Sequence, residues 1–138
     1  MFTWVKDKGD HLYFMFRVLV GFMFMMHGAQ KFGIWGDFSV AQFGSIFGLS
    51  APLAYAAAII ELVGGLFIMI GLFTRLSAAF CSIVMIVALF MVHLPKGANP
   101  LTSGAELPLI YVSAFLVLMV YGAKKWSLEN LMLKKEVF

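Results

Sequence analysis

Four stretches of nearly unbroken apolar residues, at roughly 12–31, 51–73, 76–94 and 106–121, alternate with short polar or Gly/Pro-rich intervals. About 20 apolar residues in a helix span the ~30 Å hydrocarbon core of a bilayer. The pattern therefore predicts an all-α integral membrane four-helix bundle. Between the first two spans lies FGIWGDFSVAQFGSIFGLS (32–50). At about 19 residues it is long for a structureless connection. Asp37 or Ser39 is placed to cap a short helix with Phe43, Ile46 and Phe47 on its apolar side. That predicts an interfacial or re-entrant helix over the bundle mouth, serving as a lid over a lipid-soluble ligand or as a plug. Thr74-Arg75 makes a very short turn, so the second and third spans are antiparallel. Ser103-Gly104-Ala105-Glu106 has the S-x-x-E capping-box pattern ahead of the fourth span. Beyond it, Ser127 is placed to cap an amphipathic tail (127–138) that lays Leu128, Leu131 and Met132 on the membrane. Trp4 and Trp126 read as interfacial anchors.

Composition agrees with this pattern. Of 138 residues, 62% are hydrophobic and only 12% are charged, against about half and a quarter in soluble domains. The length suits one domain, 1–138. So small a bundle has little interior, which points to a homo-oligomer or a subunit of a larger membrane complex. The net charge of +3 forms no basic stripe, so no nucleic-acid partner is expected. Cys81 lies alone in an apolar run and reads as a packing residue. The first apolar stretch ends in HGAQKFG without a small-x-small cleavage site and reads as a retained helix. With four spans, Lys6, Lys8, Arg75, Lys124, Lys125, Lys134 and Lys135 fall on one side, and only Lys31 and Lys96 on the other. The positive-inside rule then puts both termini in the cytoplasm. The expectation is a multi-pass protein of the cell (inner, cytoplasmic) membrane.

The charges inside the apolar runs are the candidate chemistry. Glu61 sits near the middle of the second span, where an ionisable group is expensive and normally faces protein or a water-filled cavity. It shares a helix face with Ala54, Ala57, Ala58, Gly64 and Gly65, small residues that let helices approach closely. On the first span Gly21 and Gly28 lie on the same side as Arg17, so that stripe is expected to face the bundle. In the predicted orientation every span contributes an ionisable group to the outer half: His27 with Lys31, then Glu61, His93 and Glu106. Each has a plainer reading. Lys31 reads as a snorkelling residue reaching outer headgroups, His93 as a helix-end residue, and Glu106 as the partner of Ser103 in the cap. Arg17 and His27 both lie at a depth from which they could pair with Glu61, about 8 Å away by helical rise, and spacing does not choose between them. No H-x-x-x-H or E-x-x-H pair puts two ligands on one helix face, so neither a metal nor a covalent cofactor is expected. A neutral imidazole and a carboxyl group in an apolar pocket suit a quinone headgroup, whose carbonyls accept hydrogen bonds and whose reduction consumes protons.

The same residues carry a family resemblance. RVLVGFMFMMHGAQKFG (17–33) resembles the opening signature of the DoxX family, an arginine and a glycine followed by H-G-x-x-K. IIELVGGLFIMIGLFTR (59–75) resembles its second signature, an acid followed by a Gly pair and a G-x-x-T-R turn. His93, Gly-Ala-Glu before the fourth span and the closing WSLE (126–129) fit the rest, although the family more often ends in Ser-Leu-Asp. The resemblance covers about residues 12–130. It implies a four-helix membrane bundle whose motif residues here are Arg17, Gly21, His27, Gly28, Lys31, Glu61, Gly64, Gly65, Arg75, His93 and Glu106. The family is named for a membrane subunit of a thiosulfate:quinone oxidoreductase. Other members are linked to quinone or thiol stress and to oxidoreductase complexes, and distant relatives act as cargo receptors or assembly chaperones. Thiosulfate chemistry itself is not expected, because no cysteine is placed to carry sulfur.

Two readings follow. In the first, the protein is a membrane subunit that binds a quinone-like lipophile or redox partner through Glu61 and His27. In the second, it is a non-catalytic scaffold or assembly factor with a structural polar core. Small-solute or proton transport is a weaker third, since four helices leave little room for a pathway. The sequence assigns no catalytic residue and does not decide whether the protein is an enzyme.

Overall fold

The computed structural model describes residues 8–133. Trp4, Lys6, Lys134, Lys135 and the last part of the predicted tail (134–138) lie outside the described residues. Within them the secondary structure is helical: α1 (Gly9–Lys31), α2 (Val40–Ile46), α3 (Ala51–Ile70), α4 (Thr74–Ala88), α5 (Pro100–Ser103), α6 (Glu106–Tyr121) and α7 (Leu128–Leu133). α4 runs on through a π-helical turn (Leu89–His93) and a 3₁₀ turn (Leu94–Lys96). Three helical stretches are long and apolar enough to cross a membrane, namely Gly9–Lys31, Ala51–Ile70 and Thr74–Lys96. α6 is apolar but shorter, at 16 residues.

Local chemistry explains most boundaries. α2 starts with a capping box: the Ser39 amide donates to Gln42 Oε1 (2.8 Å) and the Gln42 amide donates to Ser39 Oγ (3.2 Å). α3 stops at Ile70 rather than Phe73 because Gly71 takes the left-handed conformation (φ 71°). The Gly71 amide then donates to Ile68 O and the Leu72 amide to Phe67 O, the paired bonds of a Schellman stop. Ser127 caps α7, accepting from the Asn130 amide at 3.3 Å. The predicted capping box at Ser103–Glu106 does not form. Ser103 instead closes the short α5, which Asn99 caps, and its hydroxyl donates to Asn99 O (2.9 Å). Gly104 (φ 73°) then turns the chain, and α6 begins at Glu106 without a side-chain cap.

The helices pair as α1 with α3 and α4 with α6, and α3 joins the pairs through its turn into α4. The α1–α3 seam runs backbone to backbone. A Cβ at Gly21 would overlap Met69 and Gly65, one at Gly28 would overlap Leu62, and one at Gly65 would overlap Met25 and Gly21. Gly64 instead leaves room for Cys81 Sγ on α4. Between the pairs lies the core of Phe24, Ile68, Ala78, Cys81, Met85, Tyr111, Phe115 and Leu118. Phe24 bridges them, with ring centroids 5.0 Å from Tyr111 and 4.8 Å from Phe115. Outward, Leu19, Ile59, Ile83, Ile110 and Val120 are exposed, as on a lipid-facing surface.

The two ends of the bundle differ. At the end where α1 starts and α6 finishes, Arg17 is fully buried and its Nη2 donates to the Trp126 carbonyl at 2.8 Å. The chain after α6 folds back over this end. Tyr13 Oη donates to Gly122 O (2.6 Å) and the Glu129 amide donates to Gly71 O (3.1 Å), with Glu129 fully buried. Arg17, one of the two partners that spacing left open for Glu61, is thus built into the closing WSLE segment instead. At the opposite end the helix pairs leave a cavity, roofed by α2.

The glycine seam makes a direct prediction. Gly28→Ala forces a methyl group into the Leu62 backbone, which cannot swing aside as a side chain could, and overpacking of this kind costs about 1–3 kcal/mol. Thermal unfolding in detergent should show a clearly lowered midpoint for Gly28→Ala, whereas Gly9→Ala, which meets nothing, should match the parent.

Candidate functional site

The cavity, of about 560 Å³, has the size of a small-molecule site. α1 contributes Phe24, His27, Gln30 and Lys31 to its wall, α3 contributes Ile60 and Glu61, and α4 with its π turn contributes Ile83, Val87, Met91 and His93. α6 adds Pro108 and Tyr111, while Phe43 of α2 and Phe47, the residue that follows it, close it from above. The lining is mostly apolar, with His27, Gln30, Lys31 and Glu61 on the α1–α3 side and His93 and Tyr111 on the α4 and α6 sides.

Those polar groups are centred on an ion pair. Lys31 Nζ donates to Glu61 Oε2, with both side chains largely buried at 12% and 3% exposure. Neither Arg17 nor His27 is the partner of Glu61, and Lys31 does not snorkel outward. The reason is geometric. Side chains of a helix tilt toward its own N-terminus. On antiparallel helices Lys31 therefore leans into the bundle while Glu61 leans toward the cavity end, and the two converge. The seam sets the register, since Gly28 lies against Glu61 and Leu62. The same ammonium also lies 4.6 Å from the centroid of the Phe43 ring, a cation–π contact that ties the pair to the roof.

The other expected residues are placed as follows. His27 is half-buried on the cavity wall, with its ring edge-on to Tyr111 at 5.8 Å and 86°. His93 reaches the wall through the π turn, and its Nδ1 lies 2.9 Å from the Ser103 carbonyl. If that nitrogen donates to the carbonyl, Nε2 is left as an acceptor. π turns within α-helices recur at functional sites. Glu106 is exposed and does not line the cavity, so four of the five candidates converge and the fifth does not. Gly21, Gly28 and Gly65 lie in the α1–α3 seam and Gly64 faces α4. Among the described residues no group of three or more His, Cys, Asp or Glu is placed to hold a metal ion.

Two wall residues escaped the sequence reading. Tyr111, only 7% exposed, stacks on Phe115 (20° between ring planes) and meets both Phe24 and His27. Its signal was the spacing of Tyr111, Phe115 and Leu118, which share one face of α6. Gln30 lines the cavity and also a shallow groove with Met23, Met26 and Trp35 on the flank of α1. Nothing in the sequence distinguished it from a polar helix end.

Comparisons with known proteins agree on kinship. A family model described as DoxX matches residues 12–94. An uncharacterized protein of Haemophilus influenzae is 34% identical over 122 residues, covering 86% of this chain and 89% of its own length. A Bacillus subtilis protein named "Putative oxidoreductase CatD" is 33% identical over 119 residues, covering 86% of this chain and 84% of its own. No solved structure gives a significant match.

A buried pair stabilises a fold little compared with apolar groups of the same shape, but losing one member strands the other, at about 3–5 kcal/mol. Lys31→Met and Glu61→Leu should each lower resistance to unfolding in a denaturant titration of the detergent-solubilised protein. The double variant should recover most of that loss, and additive losses would show that the pair does not act as a unit.

Proposed function

The chain belongs to the DoxX family, and from that premise and the cavity we propose that it is a membrane subunit of an oxidoreductase system that binds a quinone-like lipophile. Glu106–Tyr121 serves as a fourth span in this reading. Lys8, Arg75, Lys124 and Lys125 then mark the cytoplasmic side, where both chain ends lie, and the cavity occupies the outer half. The observation that carries the proposal is an apolar cavity of about 560 Å³ with an ion pair, an imidazole and a phenol on its walls. A quinone needs this combination: hydrogen-bond donors for its carbonyl oxygens, proton-handling groups nearby, and apolar walls for the rest. Lys31 and Tyr111 supply donors. Glu61 and His27 are the groups able to hold or pass protons during reduction. The electrons come from a partner protein, which makes the chain a subunit of a larger assembly. The oxidoreductase name of the Bacillus relative supports the same class.

A scaffold or assembly role is the second reading. It is favoured by the ion pair itself, since Lys31 and Glu61 already satisfy one another, and by the sealed Arg17 end.

The test is native mass spectrometry of the detergent-purified protein with extraction of bound lipids, beside Glu61→Gln and Lys31→Met. We expect a quinone that co-purifies with the parent protein and falls by about tenfold, or about 1.4 kcal/mol, in each variant. Phospholipid alone, or a stoichiometric protein with no quinone, would replace this reading with the scaffold.

A further inference from the structure

The cavity is covered at the end of the bundle and open at its side. Its roof is α2 and the residue that follows it, where the Phe43 and Phe47 rings pack on each other at 5.1 Å. Cations hold that roof from two sides, Lys31 at 4.6 Å from Phe43 and Lys96 at 5.4 Å from Phe47. Val40 of α2 is buried with Ala54 and Ala58 of α3, and a Cβ on Gly44 would press on Ala54. The helix is therefore seated on α3.

The side wall is different. Leu53 and Ala56 of α3, and Ile83, Val87 and Met91 of α4, line the cavity and are at the same time exposed on the outside of the bundle. Gln30, Gly104 and Leu107 do so elsewhere on the wall, but these five fall on two neighbouring helices and mark a mouth between them. Ile83 lies nine residues into α4, about 14 Å along the helix from Thr74 at 1.5 Å per residue. The opening thus extends from the cavity end toward the middle of the membrane. It is flanked by apolar side chains and floored by alanines at 56 and 57. The Lys31–Glu61 pair sits on the α1–α3 side of the cavity.

From this geometry we infer that the site is loaded sideways from the bilayer, through the α3–α4 mouth. Its ligand is an amphiphile whose headgroup reaches Lys31 and Glu61 while a long apolar tail stays in the mouth and the surrounding lipid. The inference rests on the ligand-binding reading above and adds the route and the ligand class, a long-chain prenyl quinone in preference to a short-chain or water-soluble one. A tail lying past Leu53 and Ile83 remains among lipid chains, so only the headgroup must leave that environment.

Two measurements test it in phosphatidylcholine nanodiscs. In the first, a prenyl quinone with a diazirine on its tail is photolysed with the parent protein, and labelled peptides are mapped by mass spectrometry. Labels at Leu53, Ile83 or Val87 are expected, and they should vanish with excess unlabelled quinone. Saturable labels at Phe43 and Phe47 would overturn the inference in favour of a route through the roof. Labels at Met23, Met26 and Trp35 would overturn it in favour of the α1 flank. In both cases ligand binding at the site would stand. If no label is competed by quinone or lost in Glu61→Gln, the ligand-binding reading fails and the inference with it. The second measurement compares chain lengths in Ala56→Trp and Val87→Trp, which fill the mouth from exposed positions. Affinity for the long-chain quinone should fall about tenfold more than that for the short-chain analogue. Equal losses for both would overturn the side mouth. A tryptophan variant that fails to fold leaves the labelling of the parent protein to decide.

Discussion

Everything at the cavity end depends on how closely α1 and α3 approach. Two helices in lipid gain little from hydrophobic burial, because the tails are as apolar as leucine, so association rests on packing and on polar contacts. Gly21, Gly28 and Gly65 remove the side chains that would hold the backbones apart, and the seam that results fixes the register to within a residue. Lys31 and Glu61 meet because of that register. Moving one helix by a single turn, about 5.4 Å, would leave each charge facing lipid or an apolar wall.

The two ends of the seam treat buried charge in opposite ways. Near Gly71, Arg17 is enclosed by the chain that follows α6, with the Trp126 carbonyl as an acceptor and Ser127 packed beside Gly71. The glycine is required twice over, by its left-handed φ and by the guanidinium occupying the space a Cβ would need. That end is closed by the chain itself. At the other end the charges pair with each other and border a cavity. A protein that needed only a stable bundle could close both ends alike. The open end is where polar groups, an apolar space and a π turn occur together, and the proposed binding site rests on that coincidence.

Much of this was legible in the sequence because its cause is local. Helix spans follow from apolar length, the start of α2 from a cap at Asp37 or Ser39, and the small face of α3 from its alanines and glycines. The gathering of His27, Lys31, Glu61 and His93 at one end was legible too, since depth along a helix is a matter of counting. What was not legible depended on relations between helices. Counting placed Arg17 and His27 equally near Glu61 and sent Lys31 outward, because it contains neither the register of the seam nor the inward tilt of the lysine. Ser103 and Glu106 have the spacing of a capping box, but Gly104 between them takes a left-handed turn that ends one helix before the next begins. The π turn that carries His93 to the wall left no periodic signal either.

The roof and the ion pair share one group, and this links the proposed ligand site to α2. Lys31 donates to Glu61 and lies against the face of Phe43. Covering the pair with aromatic rings keeps water away from it, and a lower local dielectric strengthens its attraction. The ammonium in turn holds the roof, because a cation over a ring gains more when it is desolvated. An acceptor arriving in the cavity competes for that same ammonium. It can be bound without weakening the roof only if it accepts a hydrogen bond while the lysine keeps its place under Phe43. A carbonyl oxygen meets that condition, since it takes one donor and carries no charge to draw the lysine away from Glu61. An anionic headgroup would pull the ammonium from both partners and leave Glu61 buried and unpaired, at a cost of several kcal/mol. On the proposed ligand-binding reading, the arrangement around Lys31 therefore favours neutral carbonyl ligands over anionic ones.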